Sequence, residues 1–339
     1  MPFGLAPSDH DTLREHYKKN VVPVQYILVD RNIYEHIWKM GEEDPAVNEA
    51  MCHLASIHRT KTVHSIQGRS DGGQSAQLDH IHRIISHRQI NGRFDPSDAM
   101  ASLHTISSFL FSGGRGSWQR FLHIACGYVE STLLRAQDPH FLYHYSPAER
   151  FIIRTTMWFE VLASVTLRTA PRFLMYYRSA FSHTTAYIED DSGSSMLSVM
   201  GCENQVLLAI AETSALAEWK HHQLTTGSLS IPELVKRGQV ILDILDRLDT
   251  QQIGYAQAGG ADHELRQIRL QTASIFRAAA RLYVHNIVNG DQPSSPEIQL
   301  AVRETVRALQ CVDADETRSR AVVRSVVFPI CIEIGRAHV

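Results

Sequence analysis

"SGGRGSWQRFLHIACGYVE", residues 112–130, decides how this chain is read. A glycine-rich turn opening a helix cradles a phosphate when free backbone N–H groups and the helix dipole converge on an anion. The same letters also spell a joint between two packed helices. A phosphate loop needs a preceding strand and G-x-x-x-x-G-K-[ST], and a dinucleotide turn needs G-x-G-x-x-G. Here a capped helical pattern precedes Gly113, no lysine follows Gly116, and the dinucleotide pattern is missing. The stretch therefore reads as a helix C-cap, two permissive glycines, and Ser117 capping the next helix.

Working outward, helix-start chemistry recurs along the chain. "DPAV" (44–47) puts Asp44 at a cap and Pro45 at the first helical position, where the absent proline N–H would have had no intrahelical partner. "DPSD" (95–98) repeats the device, and Asp98 adds negative charge to the first turn. "SPAE" (146–149) is a capping box, with "SIPE" (230–233) and "SPEI" (295–298) as relatives. Each cap is worth about 1 kcal/mol, and together they set the register of the chain.

Behind each start the apolar spacing is helical. Val47, Met51 and Leu54 follow Asp44. Met100, Leu103, Ile106 and Leu110 follow Asp95 and end at Gly113-Gly114. Phe151, Ile152, Phe159 and Leu162 follow Ser146, and Leu234, Ile241, Leu245 and Leu248 follow Ser230. Between Leu265 and Ile287 an apolar face runs through Ile268, Ile275, Phe276, Ala279, Leu282 and Tyr283, with Gly290 placed to close the helix. "VVPVQYILV" (21–29) is the best strand candidate, but Pro23 interrupts it, and the valine-rich 320–330 segment suits a buried helix equally well. The expected architecture is all-α, a bundle of packed antiparallel helices without significant sheet. Glycine-bearing polar loops fall at 67–75, 189–195 and 255–262, none long enough to demand a domain boundary. No fixed-period repeat is present, which disfavours a solenoid.

Composition narrows the function classes. The 339 residues are 44% hydrophobic and 20% charged, a globular balance. The net charge of −3 gives no reason to expect this segment itself to bind nucleic acid. Five cysteines, at 52, 126, 202, 311 and 331, are scattered without a C-x-x-C pair, neither a disulfide framework nor a zinc spacing. The start lacks a basic region followed by an apolar run, so it is not read as a signal peptide. No apolar run is long enough to span a bilayer.

Candidate chemistry is thin. Histidine is abundant, at 19 residues. "HFLYH" (140–144) has i, i+4 spacing but lies in a connection and lacks the glutamate of H-E-x-x-H. His80 and His82 point to different sides of a helix that also carries His87. His221 and His222 sit at a helix end, where imidazole suits the dipole. His10-Asp11, the one His-Asp pair, has almost no chain upstream for a further metal ligand. Cys52 and Cys126 fall in apolar helical patterns, where buried and inert is the default. Arg266, Arg269, Arg277 and Arg281 read as a solvated helix face rather than a phosphate track. Trp118, Trp158 and Trp219 read as core. No catalytic, cofactor-binding or metal-binding residue is assigned.

Several segments, in order, carry a resemblance. They are "LREHYKKNVV" (13–22), "AMCHLASIHR" (50–59), "DAMASLHTISSFLFSGGRGSWQRFLHIACGYV" (98–129), "MWFEVLASVTLRTAPRF" (157–173), "MGCENQVLLAIAETSALA" (200–217), "SIFRAAARLYVH" (274–285) and "FPICI" (328–332). Together they resemble the fungal-specific transcription factor domain, the regulatory middle region of binuclear zinc-cluster transcription factors. The 98–129 segment is similar to that family's long apolar helix, glycine loop and tryptophan-led second helix.

The resemblance implies a nuclear regulatory domain, spanning 1–332, that controls RNA polymerase II transcription through a zinc-cluster module. That six-cysteine module is absent from this sequence, so zinc is expected only there and DNA is contacted only through it. The resemblance further implies contacts with co-regulators, a homodimer or a small effector, and neither enzymatic activity nor a membrane. Residues 333–339, "EIGRAHV", read as a non-native tail, and the chain as a fragment incomplete at its C-terminus. A helical adaptor without DNA binding and an all-helical metal enzyme are the alternatives.

Overall fold

The computed structural model describes residues 7–26, 28–29, 31–63, 72–88, 94–114, 116–134, 141–181, 195–251, 263–290, 292 and 294–311. Among these no strand occurs, in line with the all-α expectation. The valine-rich 320–330 segment, "FPICI", Cys331, His140 and the loop at 255–262 lie outside the described residues. Contacts cluster into two compact units, residues 1–156 and 157–339, divided within helix α8.

In the first unit α1 (Pro7–His16) runs into a π-helical turn (Tyr17–Val21) and α2 (Val22–Gln25). Then come α3 (Arg31–Glu43), α4 (Pro45–Val63), α5 (Gly72–Arg88), α6 (Pro96–Phe111), α7 (Gln119–Leu133), a 3₁₀ turn (Phe141–His144) and α8 (Pro147–Leu167). The first half of the best strand candidate, Val21 to Gln25, is thus helical, and Tyr26, Leu28 and Val29 form no strand. Pro23 sits in the first turn of α2, where its missing N–H leaves no gap. The wider π-turn turns both Tyr17 and Val21 inward. Helices α4 and α6 form the centre, and α1, α3 and α5 pack on α4 while α7 packs on α6. The small residues Ala46, Ala50 and Ala55 are fully buried on α4 and permit close approach. Every residue of α6 from Asp98 to Phe109 is buried, the pattern of a helix surrounded on all sides.

The caps work largely as the sequence indicates. Asp44 accepts from the Ala46 and Val47 N–H groups at 2.8 and 3.1 Å. Asp95 and Asp98 make a complete capping box, as do Ser146 and Glu149, at 3.0 and 3.3 Å. The Ser230 hydroxyl accepts from the Glu233 N–H at 3.4 Å. Ser295 departs from the pattern. It caps no backbone N–H, because its hydroxyl bonds the Glu297 carboxylate and accepts from Asn289 instead.

The glycine stretch is an inter-helix joint. Gly113, Gly114 and Gly116 have φ of 101°, 76° and 122°, which side chains with a Cβ avoid. The Gly114 N–H donates to the Phe109 carbonyl at 2.7 Å, closing α6. Ser117 does not cap α7. Trp118 occupies that position with helical dihedrals and no side-chain bond, so the chain enters α7 already wound.

The second unit holds the rest of α8 with α9 (Leu174–Phe181), α10 (Leu197–Met200), α11 (Asn204–Thr225), α12 (Ile231–Gln251), α13 (His263–Asn289) and α14 (Pro296–Gln310). Its centre is α11, buried continuously from Val206 to Ala211 and packed by α9, α12 and α13. The predicted apolar face of α13 is buried throughout, and Phe276 meets the Trp158 ring edge-on at 5.1 Å. Gly290, with φ 68°, ends α13. A Cβ at Gly238 would collide with Val288, so this glycine sets how closely α12 and α13 approach. Among the described residues no helix is long and apolar enough to cross a membrane.

Candidate functional site

Several of the abundant histidines are consumed by packing. His104 on α6 is fully buried, donating through Nδ1 to the Met100 carbonyl (2.9 Å) and meeting the Tyr17 hydroxyl at Nε2 (2.7 Å). Burial drives its pKa down to about 4, so the ring is neutral and accepts from the Tyr17 hydroxyl. Beside it Gln25 donates through its amide nitrogen to the Ser107 hydroxyl at 2.9 Å. The polar network ties the π-turn and α2 to α6, satisfying groups that would each cost about 1–3 kcal/mol unpaired. On α4, His53 bonds the Gln77 amide at 3.1 Å and His58 bonds His16 at 3.0 Å. His82 sets its ring against the edge of Phe121. His87, His144, His221 and His222 are exposed. The described residues contain no group of three or more histidine, cysteine or acidic side chains placed to hold a metal.

Cys52, Cys126 and Cys202 are buried. Cys52 lies 3.5 Å from His10 Nδ1, and His10 Nε2 lies 3.6 Å from Glu49. That sequence of groups mimics a nucleophile, base and orienting acid. The environment opposes the role, since burial and the nearby Glu49 push the thiol up to about 12. A neutral, inaccessible thiol is a poor nucleophile.

The arginines of α13 overturn the solvated-face expectation. Arg277 is 4% exposed and grips Glu203 with two bonds, at 3.0 and 2.8 Å. Arg281 reaches Asp246 of α12 at 2.7 Å, and Arg269 reaches the Ser198 carbonyl at 3.2 Å. The side chain of Arg266 lies outside the described residues. Helix periodicity places these residues off the apolar face, but α10, α12 and the entry to α11 pack over that side. Long arginine stems span the gap and their planar heads find carboxylates. One end of this row opens into a cleft of about 320 Å³ between α13 and α14. Ser274, Ala278, Arg281, Arg307, Ala308 and Cys311 are among its walls.

Two further buried polar junctions escaped the sequence reading. Arg88, at the end of α5, bridges Asp44 and Asp98, the latter at 2.8 Å. One guanidinium thereby pairs with carboxylates at the starts of both α4 and α6. Glu160, 6% exposed on α8, accepts from the Arg172 N–H and from the Tyr177 hydroxyl (2.8 Å). It stitches the turn between α8 and α9, and burial pushes its pKa up to about 7. Its acidic position within the 157–173 segment was the available signal. These groups hold helices together.

The family described as the fungal specific transcription factor domain matches residues 12–333. The chain belongs to that family. Among curated relatives, the ustiloxin B cluster transcription factor of Aspergillus flavus is 28% identical over 200 residues, covering 56% of this chain and 32% of the relative. A trichothecene biosynthesis transcription regulator of Trichoderma arundinaceum is 27% identical over 169 residues, covering 50% and 35%. Transcription factor ntnD of a Nectria species is 23% identical over 307 residues, covering 82% and 48%. The chain thus spans from about a third to about half of the length of these relatives. No solved structure matches the chain.

Proposed function

We propose that this domain works by contact rather than catalysis, regulating a DNA-binding module carried elsewhere in its protein. In this reading it acts in the nucleus and tunes transcription through intramolecular contacts, self-association, co-regulators or a small effector. Zinc belongs only to the DNA-binding module. The carrying observation is the family match over residues 12–333, supported by an interior whose polar groups are spent on joining helices. Packed helices suit such work because their interfaces can hold discrete alternative arrangements. Two of the relatives are named for an ustiloxin B gene cluster and for trichothecene biosynthesis, which favours a biosynthetic gene cluster as the target.

The test is to fuse residues 1–332 to a heterologous DNA-binding module and read a reporter in a filamentous fungus. The expected result is a change in reporter output relative to the module alone. Output identical to that of the bare module, from a fusion present at equal abundance, refutes the proposal.

A further inference from the structure

We draw no further inference here: the strongest candidate, the cleft between α13 and α14 where Arg281 and Arg307 stand beside Glu304 and Cys311, carries none because Asp246 already engages Arg281 and nothing in the structure shows what covers it.

Discussion

Replacing Glu160 by glutamine turns a buried ionisable stitch into a neutral one of the same shape. Burial raises this carboxyl from its ordinary 4.5 to about 7. At about 1.36 kcal/mol per unit, the difference amounts to roughly 3 kcal/mol of pH-linked stability. The native state binds a proton between pH 4.5 and 7 that the unfolded chain does not, so the contribution is fully present below about pH 4.5. It is lost as pH rises through 7. Glutamine keeps an oxygen for the Arg172 N–H. Its amide can donate to the Tyr177 oxygen, whose own proton goes to the Met157 carbonyl, already 3.3 Å away.

Urea unfolding followed by circular dichroism at pH 5.0, 6.5 and 8.0 compares the two proteins. Other titrations cancel in the difference between them. Relative to wild type, Glu160→Gln should gain stability from pH 5.0 to 8.0, by up to about 3 kcal/mol. Glu160→Leu should instead lose about 1–3 kcal/mol at pH 5.0, since the Arg172 N–H loses its acceptor while the Tyr177 hydroxyl can turn to the Met157 carbonyl. Parallel curves for wild type and Glu160→Gln would refute the claim that this carboxyl titrates near neutrality in its buried turn.

Arg277→Met should cost about 3–5 kcal/mol by stranding Glu203, and adding Glu203→Gln should recover a substantial part; a double-mutant cycle with no coupling would deny the clamp. Gly238→Ala should cost about 1–3 kcal/mol, because the added methyl displaces Val288; a variant as stable as wild type by thermal unfolding would show that α12 and α13 have room to spare.

Local chemistry fixed the parts of this fold that one helix can specify. Asp44, Asp95 and Ser146 announce helix starts because a cap needs only a side chain and the N–H groups two or three residues ahead. Gly113, Gly114 and Gly290 mark ends because positive φ is a property of a single residue. The buried stripe of α13 was likewise legible, since a 3.6-residue period sorts apolar from polar positions without knowing the neighbour.

Partners were not legible. Arg277 looks solvated in its own helix and becomes buried only because Glu203, 74 positions away, is brought over it. Arg88 joins two caps that sequence displays as separate events. His104 and Tyr17, 87 positions apart, look like ordinary residues until packing removes their water. Charge and hydrogen-bond satisfaction are properties of the space between helices. Only the tertiary structure therefore determined which ionisable groups are neutral and which are clamped.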